Sequence, residues 1–542
     1  MRIDWLKIPA DRNLKNLEVD FDETVPIVVL LGRNGSGKSN LIENIVEIFL
    51  ALENVAPVAR FAYEMQYFCH GHKIQVDADP DRTKDRIKFS VDGKSVTLAA
   101  FKRGLREYLP KYVFAYYSGW NDRLEKVFTA PTRKYYQSNL ESKDSEAVRR
   151  FFFCRKDYAN LALLALFFED HALAQYIRKE LLGIESFDSA LFVLKAPYWA
   201  KSSAHSRPEG NDFFWGARGN FSDFMDRLKA ASLAPIRNLE LTESDVRGRN
   251  QSNERLYLYL KDRESLDKIR LPYETPKLLF NHLESMYLSD LIEEIRVVGR
   301  RKDGSLVRFD QLSEGEQQLV AVFGLLLFTQ SDESLYLLDE PDSHLNPRWT
   351  YEYRAMLRKA LFPSLPEGES EQALPDENPI DASVPPTAVG NSQVLIATHN
   401  PLMISAHPRT HVRILDRTPE GTTALPPEDE PPGMTIDRLL TSDVFGLESA
   451  LPARTLKAIA DRDRLVAKSE LSDEEKVRLE DLSDQLKELG LLRTFRLPEE
   501  QEFIEAMRRR EKKSILGLTP EEIRARNERA DAVLDKIFSA EE

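Results

Sequence analysis

The chain has 542 residues, 42% hydrophobic and 30% charged, enough for two to four domains and more than one core. Its net charge of −14 excludes indiscriminate binding of polyanions over the whole surface but leaves room for a local basic patch. Two cysteines, Cys69 and Cys154, exclude a disulfide framework beyond one pair and point to a reducing cytoplasm.

The N-terminal MRIDWLKIPADRN has no apolar signal-peptide core, and the most apolar helix, near Leu161–Phe168, is broken by Glu169 and Asp170, so no membrane span is expected. Residues 25–31, an apolar run before a Gly-rich turn, read as a buried parallel strand. A helix follows from about Lys38 to Ala51, with Leu41, Ile45, Ile48 and Phe49 on its apolar face. Residues 61–98 alternate and turn at HGHK and VDGK, which predicts antiparallel strands. From 142 to 184 the apolar spacing is helical, and 186–290 mixes short strands and helices. Residues 292–309 read as a hairpin around Lys302-Asp303-Gly304. Two further buried strands, SLYLLDE (334–340) and QVLIATH (393–399), flank a helix and a segment, 363–393, with six prolines, six acidic residues and no Lys or Arg. That composition predicts a disordered surface loop. Beyond 436 the chain reads as charged and helical, with Val477, Leu479, Leu482 and Leu486 on one stripe. No heptad pattern is sustained long enough for a long coiled coil.

Gly32-Arg33-Asn34-Gly35-Ser36-Gly37-Lys38-Ser39 fits G-x-x-x-x-G-K-[ST], after a strand and at the start of a helix, the context this motif requires. The glycines let consecutive N–H groups curl around phosphates, and the helix start adds a favourable dipole. Lys38 is placed for the β- and γ-phosphates, and the Ser39 hydroxyl for Mg²⁺. Asp339 and Glu340 end a strand, where a carboxylate points into the nucleotide crevice. Asp339 is the candidate second Mg²⁺ ligand, and Glu340 the group that polarises the attacking water. Leu312-Ser313-Glu314-Gly315-Glu316-Gln317-Gln318 opens a helix; Ser313 and Glu316 have capping-box spacing, which is compatible with an anion site near Gly315. His399 ends a strand, within reach of a γ-phosphate.

GRNGSGKSN, LSEGEQQ, LLDEPDSHLNP and ATHNP stand in the order of Walker A, signature, Walker B with D-loop, and switch histidine. The pattern resembles ABC-type ATPase heads of the RecF and SMC kind. The resemblance implies an α/β P-loop head, a mixed sheet with helices on both faces, carrying a globular insertion and a helical tail. It implies ATP and Mg²⁺ bound by Gly32, Asn34, Gly35, Ser36, Gly37, Lys38, Ser39, Asn40 and Asp339. Glu340 and His399 are then catalytic, and Ser313, Gly315 and Glu316 are nucleotide-binding, Ser313 and Gly315 acting in trans in a homodimer or higher oligomer driven by ATP. Arg12 and Asn13 belong near the nucleotide. Asn34, Asn40 and LSEGEQQ in place of LSGGQ point away from transporters.

About 270 residues separate Ser39 from Leu312, and they read as globular rather than as the coiled coil of SMC proteins. With KYVFAYYSGWNDRLE (111–125) and the tail after SDVFGLESALP, the chain resembles the PtuA ATPases of Septu and retron-linked anti-phage systems. Such ATPases act beside an HNH endonuclease and, in retron relatives, a reverse transcriptase with its RNA/DNA product. The expected division is 1–110 and 291–435 as the two ATPase lobes, 111–290 as the insertion, and 436–542 as a helical region for oligomer or partner contacts. A RecF-like DNA-repair ATPase that binds DNA directly is the alternative. A fused Toprim nuclease is not expected: Pro-Glu-Gly at 366–368 and 419–421 reads as loop without a preceding apolar strand. Cys69-His70-Gly71-His72 reads as a hairpin turn rather than a zinc site. Arg508-Arg509-Arg510 with Lys512 and Lys513 reads as a solvated helix face rather than a DNA contact. Phe151-Phe152-Phe153 reads as core or inter-subunit contact.

Overall fold

The computed structural model describes residues 1–54, 60–119, 122–141, 149–155, 158–168, 172–197, 212–217, 222–243, 250–271, 273, 276–361, 391–442, 444–447, 449–468 and 471–489. The acidic 363–393 segment up to residue 390, and the basic run at 508–513, lie outside the described residues. The chain divides into two compact units, Met1–Gly446 and Leu447–Glu542.

The first unit carries β1 (Arg2–Asp11), β2 (Leu14–Asp20), β3 (Ile27–Leu31), β4 (Tyr63–Cys69), β5 (His72–Ala78) and β6 (Ile87–Val91). Next come β7 (Lys94–Val96), β8 (Val113–Tyr117), β9 (Phe151–Phe153), β10 (Ile184–Lys195), β11 (Ile236–Glu243) and β12 (Asn250–Leu260). Last are β13 (Ile292–Arg301), β14 (Leu306–Arg308), β15 (Leu335–Asp339), β16 (Gln393–Thr398), β17 (Val412–Thr418) and β18 (Gly421–Leu425). Among the described residues they form a 13-stranded sheet in the order β7-β6-β5-β4-β1-β2-β18-β17-β3-β16-β15-β8-β9, and a five-stranded one, β11-β12-β10-β13-β14. From β17 to β9 every neighbour in the large sheet is parallel.

That parallel block explains its own sequence. Strands covered on both faces need apolar residues at every position, and alternate residues of β3 go to different cores. Ile27, Val29 and Leu31 join one cluster with Tyr336, Leu338 and Phe323. Val28 and Leu30 join the other with Leu337, Leu41 and Ile45. The P-loop helix, Lys38–Asn54, covers the second face. The helix Tyr158–Leu166 and the signature helix, Glu314–Thr329, cover the first, and a Cβ on Gly324 would lie 2.8 Å from Ala162 Cβ. Burying one Leu, Val or Ile side chain contributes about 1.5–3 kcal/mol.

The structure is the mixed α/β sheet with helices on both faces that the motifs imply. It corrects the sequence reading at four places. β8, placed at the start of the insertion, pairs in parallel with β15 inside the large sheet. The 292–309 hairpin pairs with β10 and so belongs to the five-stranded sheet. Phe151–Phe153, inside a stretch read as helical, is a buried strand beside β8. An apolar strand, β17, does precede Pro419-Glu420-Gly421, and the turn leads into β18 as a hairpin. In the first three cases the deciding factor is pairing between separated segments, which local period does not encode.

In the second unit the described residues form two helices, Ala453–Val466 and Asp473–Glu488. The latter is opened by a capping box between Ser472 and Glu475. Leu465 and Leu486 are buried, while Val477, read as part of an apolar stripe, is 61% exposed.

Candidate functional site

The C-terminal ends of the parallel strands converge on one cleft. It has a volume of about 460 Å³ and is bounded by the P-loop after β3, His399 after β16, Asp339 and Glu340 at β15, and Tyr117 at the end of β8. This is the edge of a parallel α/β sheet at which ligands bind.

The loop's shape follows from its glycines. Gly35 and Gly37 have φ of +82° and +113°, a region L side chains rarely enter, and a Cβ on Gly37 would meet Leu14 at 2.4 Å. Ser36 N–H closes the turn onto the Arg33 carbonyl at 3.0 Å. Lys38 is buried and donates to the Gly32 carbonyl at 2.7 Å, with Glu340 Oε1 4.0 Å away. Burial lowers its pKa, and the Glu340 and Asp339 charges oppose that shift.

Across from the loop, Asp339 is 1% exposed, and burial pushes its pKa up to about 7 against a hydrogen bond from Ser39. Its Oδ1 is buried without a hydrogen-bond partner, as is Ser36 Oγ within the loop. An orphaned carboxylate oxygen on a group that meets the Ser39 hydroxyl is an all-oxygen donor set of the kind Mg²⁺ takes, and a divalent charge there would favour the ionised Asp339. The residues present therefore fit the metal. Glu340 has φ of +52°, an uncommon conformation for a non-glycine residue, and its N–H bonds the Ala397 carbonyl at 2.8 Å. Its Oε2 lies 2.7 Å from His399 Nδ1. His399 is held in place by a buried relay. Thr398 Oγ1 donates to Asp342 Oδ1 at 3.0 Å and accepts from Asn400 N–H at 3.0 Å.

The structure brings Asn34, Gly35, Gly37, Lys38, Ser39, Asn40, Asp339, Glu340 and His399 together around the cleft, with Asn13 beside them. Gly32 and Ser36 complete the loop. A Cβ on Gly32 would collide with the Leu415 carbonyl at 2.5 Å. Arg12 donates to Asn40 Oδ1 at 3.2 Å. Ser313, Gly315 and Glu316 are not among the cleft-lining residues. They start the signature helix, where a Cβ on Gly315 would lie 2.5 Å from the His344 carbonyl of the D-loop. Ser313 Oγ donates to Glu316 Oε2 at 2.8 Å, and Ser313 N–H does so at 2.7 Å.

Sequence reasoning missed Glu43, Tyr117, Arg123 and Leu124, which also line the cleft. The available signal was the position of Glu43 one helical turn beyond Ser39; nothing local marks the others. His72 of the CHGH segment faces Asp92, with Nδ1 2.8 Å from Oδ2.

Residues 27–405, well over half of the chain, match the family described as "AAA domain, putative AbiEii toxin, Type IV TA system". The chain belongs to this family. Membership makes it a P-loop ATPase of the ABC-type head class, with ATP as its nucleotide and Mg²⁺ as the usual metal of such sites. The AAA-domain chain is also a distant homologue of the Septu protein PtuA of Bacillus mycoides (strain KBAB4), 26% identical over 215 residues. That match covers 38% of this chain and 25% of PtuA, so the chain spans about a quarter of the relative it matches. Among solved structures it is similar to an Smc head bound to the C-terminal winged-helix domain of ScpA, at 14% identity over 78% of this chain and 97% of that one, with a TM-score of 0.31. It is also similar to the SMC head domain from Thermotoga maritima, at 12% identity over 79% of this chain and 100% of that one, with a TM-score of 0.31. No helix among the described residues is long and apolar enough to cross a membrane.

Proposed function

We propose that the chain is the ATP-hydrolysing regulatory subunit of an anti-phage defence complex. In this reading ATP is held between two copies, and its turnover licenses a separate nuclease of the HNH type. The carrying observation is that Ser313, Gly315 and Glu316 do not line the cleft that holds Lys38, Asp339 and Glu340. A signature that serves the nucleotide must then come from another copy. The kinship with Septu PtuA supports the defence setting.

Each residue's part follows from where it sits. Lys38 leaves the Gly32 carbonyl for the β- and γ-phosphates, and the N–H groups of Gly35 to Ser39 cradle the phosphate oxygens. Ser39 and Asp339 would hold Mg²⁺, which when bound neutralises charge on the transferring phosphoryl group. Glu340 orients the attacking water, which adds to the γ-phosphorus as the bond to the ADP oxygen breaks. His399, beside Glu340, is placed to contact the γ-phosphate. Asn34 and Asn40 shape the rim, while Ser313, Gly315 and Glu316 of a second copy cap it. The helical region beyond 436 serves oligomer or partner contacts, and a retron-type reverse transcriptase with its RNA/DNA product belongs to the same class of partner.

The test is to isolate the tagged chain from its native operon with and without Lys38→Ala. Wild type should hydrolyse ATP and bring down a nuclease as a stoichiometric subunit, and the variant should lose the ATPase. Hydrolysis by a protein that binds duplex DNA tightly and recruits no nuclease would favour the DNA-repair alternative.

A further inference from the structure

One wall of the cleft is built by residues outside the four motifs. Glu43 is 3% exposed and lies one turn past Ser39. A carboxylate so buried needs partners, and two distant arginines supply them. Arg12 Nη1 reaches Oε2, while Arg123 Nε and Nη2 donate to Oε1 at 2.9 and 2.7 Å. Arg123 Nη2 also donates to Asn40 Oδ1 at 2.6 Å. Asn40 in turn bonds Asn13, whose amide donates to the Gly35 carbonyl at 2.7 Å, so the network ends in the phosphate loop.

The two arginines are placed differently. Arg12 sits among three carboxylates, with Asp11 and Glu47 at 3.8 and 3.6 Å besides Glu43. Arg123 lines the cleft itself, and its side chain is half exposed. It starts the helix Arg123–Glu141, which the chain enters after leaving β8. Tyr117, the last residue of β8, stands opposite Asp339 in the ladder. The segment therefore runs from the Walker B carboxylate across to the P-loop helix. The first turns of the helix are anchored from below: Leu124 and Phe128 are buried, and Arg155, just past β9, pairs with Glu125 at 3.0 Å.

We propose that Arg123 senses the γ-phosphate: with a triphosphate in the cleft its guanidinium exchanges Glu43 and Asn40 for the terminal phosphate, and with a diphosphate it does not. This rests on the ATPase reading of the cleft. The exchange trades one charge-assisted pair for another with a more highly charged acceptor. It does not strand a buried charge, because Glu43 keeps Arg12. The anchored helix then carries the nucleotide state from the cleft toward β9.

The test measures Kd for ADP and for a non-hydrolysable ATP analogue, each with Mg²⁺, on the full chain by calorimetry. The proteins are wild type, Arg123→Gln, Arg123→Lys and Lys38→Ala, each with a thermal melt. Arg123→Gln should weaken the triphosphate analogue roughly tenfold or more, as expected for losing hydrogen bonds to a charged group. ADP should change by less than about twofold, because it lacks the terminal phosphate, and the melting temperature should fall by a few degrees at most, because Glu43 loses Arg123 but keeps Arg12. Arg123→Lys should recover part of the loss. Equal losses for both nucleotides, or none for either, would overturn the proposal. So would a fall in melting temperature of about ten degrees or more with no recovery of triphosphate binding by lysine. Wild type that binds neither nucleotide, or binding indifferent to Lys38→Ala, would bring down the ATPase reading itself and this proposal with it.

Discussion

The P-loop helix and the signature helix both offer an N-terminus to a phosphate, yet they are prepared in opposite ways. The P-loop helix has no acidic residue in its first turn, a buried Lys38 at its start, and Gly35 and Gly37 of the preceding loop lining the cleft. The signature helix carries Glu314 and Glu316 in its first turn, and a capping box already satisfies Ser313. A helix start attracts anions through its unpaired N–H groups and its dipole. At the signature that attraction is spent on the protein's own carboxylates. One half-site is built to take phosphate, and the other must give up internal bonds to do so. Such a division suits a site that closes only when a second copy arrives.

The comparison breaks most sharply at Lys38. Lys38→Ala removes the buried cation facing Asp339 and Glu340, and ATP binding should fall below detection in calorimetry. Retained micromolar binding would mean that the loop's N–H groups suffice, and the two helix starts would be alike. Next in size is Glu340→Gln. It keeps the shape beside His399 and removes the carboxylate that orients water, so turnover should drop by roughly 10²–10⁴. ATP binding should persist, and the variant should accumulate as a closed dimer in gel filtration. Near-normal turnover would assign the water to another residue.

Much of this asymmetry was readable before any fold was known. Asp339, Glu340 and His399 stand at the ends of continuous apolar runs, and Lys38 follows another across the Gly-rich loop; a buried parallel strand is the element that produces such a run. The capping box was readable because its spacing is local. The Glu43–Arg123 pair was not, because it joins residues 80 apart that approach only once β8 lies beside β15. β9 was misread for a related reason. Three phenylalanines have too short a period to separate strand from helix, and only the neighbouring strand decides. The 292–309 hairpin was recognised by its turn, but its sheet partner β10 is about a hundred residues away.

A third prediction probes the signature from outside. Ser313→Arg places a cation where the partner's γ-phosphate would arrive and removes the cap, at a stability cost of about 1 kcal/mol. ATP binding should stay near wild type while hydrolysis falls at least about tenfold, as for other groups that act only on the reacting state. In mixtures with a separately tagged wild-type chain, an azido-ATP analogue bound through Lys38 of one chain should label the Ser313 region of the other. Labelling confined to the chain that supplies Lys38, in a sample shown to be dimeric, would remove the two-chain site.

The smallest expected effect is the most direct measure of the contrast. Glu316→Gln keeps an acceptor for Ser313 N–H, since glutamine also completes a capping box. It removes only the charge. The helix should lose about 0.3–1 kcal/mol of favourable dipole interaction, a melting shift of a few degrees at most. At the same time Ser313 Oγ, which now donates to a carboxylate at 2.8 Å, would face a neutral and weaker acceptor. The hydroxyl is then freer to turn toward an incoming phosphate, and one repulsive charge beside that phosphate is gone. A single exposed charge at about 4 Å in water is worth about 1 kcal/mol, so ATP-dependent dimerisation should tighten roughly fivefold. Analytical ultracentrifugation with ATP and Mg²⁺, in the Glu340→Gln background to hold turnover down, would read it. A tighter dimer from a slightly less stable monomer would show that the signature helix gives up anion affinity to stay self-contained when alone. A weaker dimer would instead place the Glu316 carboxylate in the closed site as a working contact, and the contrast between the two helix starts would no longer be one of charge.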